Sequence, residues 1–139
     1  MAKRSASAIG RQSRAKGNAW EREVAQMFRD AGFPEAKRQL NQWRKSGGVD
    51  LIDVGRYVPQ CMKSKAPNAF KKFAEAVAEC KNPGQIPVAL LHKDASAPGE
   101  KSVSIAVVPI EWFFQIIRSM QILSDREMSK SSTLPEKEG

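Results

Sequence analysis

Several residue types are scarce in this chain of 139 residues. Its single histidine, His92, excludes a histidine-rich zinc site and makes a Ser-His-Asp mechanism a poor candidate. The two cysteines, Cys61 and Cys80, lack CxxC spacing, so we expect reduced thiols in a cytoplasmic protein. No apolar run approaches the roughly 18 residues of a membrane span, and we expect no secretory signal because the first residues lack an apolar segment. The length predicts one globular domain.

Positive charge is unevenly distributed. The net charge is +8, and residues 1–65 carry fourteen Lys and Arg against six Asp and Glu, whereas residues 66–139 carry nine of each. Clustered Lys and Arg favour a polyanion such as nucleic acid, because their binding releases counterions from phosphates. Solubility is the alternative explanation, but it does not require the charges to be segregated.

Hydrophobic spacing predicts a basic arm at 1–17, a folded domain at 18–123 and a polar tail at 124–139. Asn18 is a candidate N-cap for the first helix, Gly32 is a candidate C-cap, and the arm and the tail are expected to be unstructured in isolation or frayed. The expected elements are a helix at 19–31, a short strand or irregular segment at 35–40, a hairpin within 49–62 that turns at Gly55, a helix at 69–80, strands at 86–92 and 103–108, and a helix at 110–123. The order α-β-β-β-α-β-β-α predicts an α/β domain in which helices flank one mixed sheet.

The second and third predicted helices carry apolar faces. In the second helix the face comprises Phe70, Phe73, Ala74, Val77 and Cys80. In the third helix it comprises Trp112, Phe113, Ile116, Ile117, Met120 and Leu123. A small sheet cannot bury all of the latter, so this helix and the strand at 103–108 are candidate dimer surfaces. The alternative is that these residues complete the core of the monomer.

Two carboxylates are candidates for chemistry. Asp50 lies within an apolar strand, where a carboxylate must be solvated, paired or bound to a metal. A turn at Gly55 would place Asp50 opposite Gln60 or Cys61. Glu21 lies on the shoulder of the first helix's apolar stripe and can project toward the sheet edge; the alternatives are that it completes a capping box or that Glu23 replaces it. These carboxylates, an amide oxygen and the backbone carbonyl of Cys61 would suit Mg²⁺ or Mn²⁺.

Three segments, KGNAWEREVAQMFRDAGF, GGVDLIDVG and YVPQC, together resemble the archaeal-type Holliday junction resolvases and their bacteriophage relatives in the PD-(D/E)XK nuclease superfamily. The resemblance covers roughly residues 14–122. It implies a restriction-endonuclease-like fold and Mg²⁺-dependent cleavage of branched DNA, foremost a four-way junction, in recombination or phage DNA processing. It also implies that Glu21, Asp50 and Gln60 form the metal site, with Gln60 standing where an acidic residue is usual.

The resemblance calls for a lysine two residues after Gln60, where this chain has Met62. Lys63 comes one residue late and points to the other face of a regular strand. A proline directly before Gln60 is typical of an edge or a bulge, and a bulge would turn Lys63 toward the site as its catalytic lysine. The alternatives are that Lys65 or Lys45 reaches the site, or that the site is weakened or altered.

Basic residues near the predicted site are candidate DNA contacts: Arg11, Arg14, Lys16, Arg38, Arg44, Lys45 and Lys65. A homodimer is expected, because a four-way junction has two symmetry-related strands to cut and one chain offers one candidate site. Two alternatives remain open. One is a non-catalytic branched-DNA-binding module on the same scaffold, which Met62 favours, and the other is a nuclease for flaps or duplex ends.

Overall fold

The computed structural model describes residues 6–40 and 49–132, with side chains described for 16–40 and 49–130. The elements are α1 (Ala6–Asp30), β1 (Lys37–Arg38), β2 (Leu51–Ile52), β3 (Tyr57–Ser64), α2 (Ala69–Glu79), β4 (Ile86–Lys93), β5 (Val103–Val107) and α3 (Ile110–Ser132). This order confirms the predicted α-β-β-β-α-β-β-α arrangement and the α/β class. A boundary between two compact units falls between Val108 and Pro109, so α3 is described by itself.

The central sheet has the order β3-β4-β5. β3 and β4 run parallel, paired residue by residue from Tyr57–Ile86 to Ser64–Lys93, and β5 runs antiparallel to β4. Parallel neighbours need a long crossover, and α2 provides it while packing on both strands. This sheet is therefore mixed, as expected, but the described strands form two sheets and not the single sheet that was predicted.

The predicted hairpin does not form as a ladder in the described part of the chain. β2 pairs with β1 instead, through Lys37–Ile52 and Arg38–Leu51, and makes a separate two-stranded sheet. The turn after β2 contains two residues with positive φ, Asp53 (60°) and Gly55 (66°). The short β1 pairs with β2 in place of the predicted hairpin partner. The local sequence around the turn does not reveal this alternative pairing.

The main buried cluster joins α1 to one face of the sheet. Trp20, Val24 and Ala25 pack with buried residues that include Leu51 and Cys61. The indole Nε1 of Trp20 donates a hydrogen bond to the carbonyl oxygen of Leu90 at 2.9 Å. Because side chains alternate along a strand, Cys61 and Leu90 share the α1 face of the sheet, and Gln60 and Met62 point to the opposite face, on which α2 packs.

Helix α1 begins at Ala6, so the predicted start after an N-cap at Asn18 is wrong. Residues 6–17 contain several alanines and basic residues with good helix propensity, which favours the extension, whereas Gly10 and Gly17 oppose it. The side chain of Asn18 accepts a hydrogen bond from Arg38 at 2.7 Å. The predicted end is confirmed, because Gly32 has φ +115° and Phe33 N donates to the carbonyl oxygen of Phe28 at 3.0 Å.

Helix α2 matches its predicted position, but its predicted apolar face is wrong. Phe70 is 85% exposed and Val77 is about half exposed, whereas Ala76 is fully buried. A small residue at the contact lets the helix approach the sheet closely, and this favours the face around Ala76. The side chain of Asn68 caps the helix by accepting from Lys71 N at 3.0 Å.

Helix α3 continues to Ser132, so the expected fraying from Ser124 is wrong over the described residues. An amide-to-carboxylate hydrogen bond of 3.0 Å from Gln121 to Asp125 crosses the expected end point and supports the extra turns. Neither α3 nor any other described helix is long and apolar enough to cross a membrane.

Candidate active site

Asp50 is the most constrained carboxylate of the site. It lies directly before β2 and is 6% exposed. Its Oδ2 accepts a hydrogen bond from the backbone N–H of Cys61 at 2.7 Å, and its own carbonyl oxygen accepts one from Gln39 N at 2.9 Å. The predicted proximity of Asp50 to Gln60 or Cys61 is thus confirmed for Cys61, through a side chain rather than a strand ladder. Such a charge-assisted bond fixes the carboxylate at the edge of β3.

The pKa of the Cys61 thiol reflects the charges that surround it at the edge of β3. Its burial raises its pKa most, and the negative charges of Asp50 and Glu21 raise it further, while the positive charge of Lys72 opposes them. The thiol therefore stays protonated and packs as a small apolar group. Two carboxylates act on the same position, and such a concentration of negative charge is what a cation site requires.

Glu21 lies on α1, close enough for its charge to act on Cys61, and its carboxylate is paired with a guanidinium group. Arg38 Nε donates to Glu21 Oε2 at 2.9 Å, and the two side chains are 18% and 16% exposed. Glu21 lies well inside α1, which excludes the capping-box alternative. Arg38, expected as a DNA contact, thus lies within the site, where a cation binding Glu21 would have to share the carboxylate with it.

Gln60 is 4% exposed and lies on the α2 face of β3. It is adjacent to Cys61, whose N–H donates to Asp50, and its own side chain points to the opposite face of the sheet from Cys61. Among the described residues, no group of three or more His, Cys, Asp or Glu side chains is arranged to hold a metal. A metal here would depend on two carboxylates completed by amide and carbonyl oxygens.

The predicted lysine is not where a bulge would put it. The β3–β4 ladder is one-to-one throughout, so no bulge in that ladder turns Lys63, and the bulge hypothesis is wrong. Lys63 shares the Cys61 face, and its Nζ lies 4.0 Å from Asp94 Oδ1. Lys16 lies 3.8 Å from the other oxygen of the same carboxylate. Lys65 is exposed beyond the end of β3.

Comparisons with protein-family models, curated proteins and solved structures give no match to this chain. The function of the site must therefore follow from its own donors and charges.

The candidate DNA contacts are only partly described. Lys16 and Lys65 are exposed on the described surface. The backbone of Arg11 and Arg14 belongs to α1, while their side chains lie outside the described residues. Arg44 and Lys45 also lie outside them.

One residue whose charge acts on the Cys61 thiol escaped the sequence prediction. Lys72 lies on the buried side of α2, four residues before Ala76, and its side chain is 21% exposed. The signal was available as the helical stripe of Ala69, Lys72, Phe73 and Ala76. The larger side chains of Phe70 and Val77 favoured a neighbouring stripe and concealed it.

Proposed function

We propose that this protein is a Mg²⁺-dependent DNA endonuclease that cleaves branched DNA, foremost a four-way junction. The observation that supports this most strongly is the buried Asp50 carboxylate, held on Cys61 N at 2.7 Å with Glu21 within electrostatic reach. Carboxylate oxygens that meet at one edge of a sheet are the donors that a hard divalent cation prefers. We further propose a restriction-endonuclease-like fold, supported by the element order and by α1 and α2 on opposite faces of a mixed sheet.

The donor set fits a hard divalent cation. Asp50, Glu21, Gln60 and the carbonyl oxygen of Cys61 would hold Mg²⁺ or Mn²⁺, because all of them offer oxygen and the Cys61 thiol stays protonated. When bound, such an ion supplies an activated water and polarises the scissile phosphate. The N–H of Cys61 orients Asp50, and Arg38 holds Glu21 in place.

The choice of DNA is supported by charge and by the sequence motifs. The whole positive excess lies in residues 1–65, which also contain the candidate site. Exposed Lys16 and Lys65 can contact phosphates. A branched substrate, and a place in recombination or phage DNA processing, rest on the resemblance of the three motif segments to junction resolvases.

A non-catalytic branched-DNA-binding module is the second candidate. Met62 stands where a catalytic lysine is expected, and Arg38 already neutralises Glu21 at 2.9 Å. Both features would suit a site that binds DNA without cleaving it.

A substrate panel separates these functions. End-labelled four-way junction, flap, nicked duplex and intact duplex are incubated with the protein in Mg²⁺, in Mn²⁺ and in a chelator, with binding measured in parallel. We expect the junction to be cleaved fastest and only with metal. Faster cleavage of flaps or duplex ends would favour the other nuclease function. Binding without cleavage in either metal would leave the binding module.

A further inference from the structure

Three polar side chains lie side by side across the central sheet, on the face that α1 covers. Lys63 of β3 is paired with His92 of β4, and His92 is paired with Ser104 of β5. Residues two apart on a strand share a face, so Lys63 lies on the same face as Cys61, which packs with α1. Each strand of this sheet therefore brings one polar side chain to the same level of the α1 face.

The imidazole ring of His92 is held from two sides. The rings of Trp20 and His92 have centroids 5.1 Å apart and planes at 45°. On its other side, His92 Nδ1 lies 2.8 Å from the hydroxyl oxygen of Ser104. A hydroxyl that donates to Nδ1 leaves the ring proton on Nε2, and Nε2 is the nitrogen that faces Asp94, at 3.7 Å.

The Asp94 carboxylate lies among three nitrogen groups from three elements. Its Oδ1 is 3.7 Å from His92 Nε2 and 4.0 Å from Lys63 Nζ, and its Oδ2 is 3.8 Å from Lys16 Nζ. A closed charge-assisted hydrogen bond is roughly 2.7–2.9 Å long, so none of the three contacts is one. A planar group with two oxygens thus leaves these donors of α1, β3 and β4 incompletely satisfied.

A phosphate group suits these donors better than the carboxylate does. Its oxygens point to the corners of a tetrahedron, so different oxygens can accept from α1 and from the sheet at once. Ammonium, imidazole N–H and hydroxyl groups all donate to such oxygens. Two ammonium groups against one carboxylate also leave an excess of positive charge, which favours an anion over a cation.

Asp94 is placed so that its side chain can give way. It follows the last residue of β4, and its side chain is 22% exposed. Its backbone N–H donates to the carbonyl oxygen of Ser64 at 3.0 Å. Rotation of the side chain toward solvent would not break this hydrogen bond, so the carboxylate can leave while the strand end stays fixed.

We infer that Lys16, Lys63, His92 and Ser104 form a phosphate-binding site, and that the Asp94 carboxylate occupies it when no phosphate is bound. This inference goes beyond the proposed function, because phosphate binding here requires neither a metal ion nor cleavage. The phosphate belongs either to a DNA backbone or to a free anion, and the tests below separate these two sources.

The single histidine of the chain makes the first test direct. In the untagged protein, the Cε1–H group of His92 gives the only histidine signal of that kind in a ¹H–¹³C NMR spectrum. Inorganic phosphate, titrated at constant pH and at an ionic strength held constant with sodium chloride, should move this signal to saturation with a Kd on the order of 1 mM. A signal that moves no more than in the chloride blank would overturn the inference.

Variants should change the phosphate affinity in opposite directions. Asp94→Asn should tighten binding about threefold or more, because it removes a competing negative charge, and Lys63→Ala should weaken it about threefold or more. The matched controls, Glu100→Gln and Lys93→Ala, break a neighbouring ion pair of 3.7 Å and should stay within about twofold of the wild type. Weaker binding by folded Asp94→Asn would mean that these ion pairs only support the structure, and would overturn the inference.

A short intact duplex, of about 12 base pairs, distinguishes the two sources of phosphate. If a backbone phosphate occupies the site, the duplex should move the same His92 signal, and Lys63→Ala should reduce the slope of log K against log salt by about 0.9. If only inorganic phosphate moves the signal, the site takes a free anion. Either result supports the site whether or not the protein cleaves DNA, and a His92 signal that responds to neither probe contradicts it.

Discussion

The two thiols of the chain differ in their surroundings, and the difference makes them probes of the site. Burial and two neighbouring carboxylates raise the pKa of Cys61, whereas burial alone raises the pKa of the half-buried Cys80. Because the thiolate is the reactive form, iodoacetamide at pH 8 should label Cys80 in the native protein and leave Cys61 unmodified. Peptide mass spectrometry measures both. Labelling of Cys61 at the rate of Cys80 would show that the thiol is neither buried nor beside two negative charges.

The same thiol makes stability depend on pH in a defined direction. The folded pKa of Cys61 is raised, so the unfolded chain releases this proton first as the pH increases. Its contribution to the free energy of unfolding is therefore fully present below about pH 8.5 and is progressively lost above it.

Gly55 combines a positive φ with a close neighbour. A Cβ there would lie 2.7 Å from Phe33 Cε1, and the Phe33 ring is restrained by edge contacts with Phe28 and Tyr57. Gly84 has a similar φ of +86° with open space around it. Gly84→Ala should cost about 1–2 kcal/mol for the left-handed backbone alone. Gly55→Ala should cost roughly 1–3 kcal/mol more, because the ring must shift.

Urea denaturation of the two variants measures this difference as a change in midpoint at unchanged slope. Equal costs at Gly55 and Gly84 would mean that Phe33 moves freely, and that the turn after β2 is not fixed by its contact with the aromatic cluster.

At the scale of elements, local signals predicted more than long-range pairing did. The end of α1 followed from Gly32, and the existence of β4 followed from a continuous apolar run. The start of α1 was missed because asparagine is a common N-cap residue. In the structure the Asn18 side chain instead accepts a hydrogen bond from Arg38, twenty residues away. A pairing across the chain cannot be derived from a local cap motif.

In the candidate site, too, local features were predicted from the sequence and long-range pairings were not. Asp50 was identifiable as the one carboxylate of a short apolar segment, although it lies directly before β2 and not within a strand as predicted. Its contact with Cys61 confirms the expected proximity. The sequence analysis paired β2 with the following strand instead of with β1. A strand of two residues is too short to show a recognisable hydrophobic pattern, whereas the turn at Gly55 is typical of a hairpin. The buried face of α2 was missed because the sequence analysis gave the large side chains of Phe70 and Val77 more weight than the close packing that Ala76 permits.

Helix α1 also carries three of the basic residues expected to bind DNA, namely Arg11, Arg14 and Lys16. Replacing Arg11 and Arg14 together with Gln should weaken junction binding and reduce the slope of log K against log salt by up to about 1.8, at about 0.9 for each phosphate that the variant no longer neutralises. The matched control replaces Arg118 and Arg126 of α3, which lie in the half of the chain without net charge. Fluorescence anisotropy over a salt series gives both slopes. An unchanged slope in the α1 variant would exclude phosphate binding by these two residues.

At the scale of the whole molecule, we propose a two-fold symmetric homodimer, since a four-way junction offers two related strands to one candidate site per chain. Phe113 and Ile117 of α3 are each about half exposed, as are Val103 and Ile105 of the edge strand β5. Sedimentation equilibrium should show a dimer at micromolar concentration. Phe113→Lys with Ile117→Lys should yield monomers, while the control Phe70→Lys, at an exposed site on α2, should not. A wild-type monomer that nicks only one strand would contradict the dimer, and a dimer that survives the double substitution would have its interface elsewhere.

The proposed metal site at Asp50 is tested most directly by junction cleavage in Mg²⁺ with Asp50→Asn and Asp53→Asn side by side. Asn keeps an oxygen that can accept from Cys61 N, so Asp50→Asn should fold. Asp53 is an exposed residue of the adjacent turn, where its positive φ suits Asn. We expect Asp50→Asn to abolish cleavage and bind the junction as tightly as the wild type or more tightly, because a negative charge is removed. Asp53→Asn should cleave normally. Undiminished turnover by folded Asp50→Asn would contradict the metal site on which the proposed function rests.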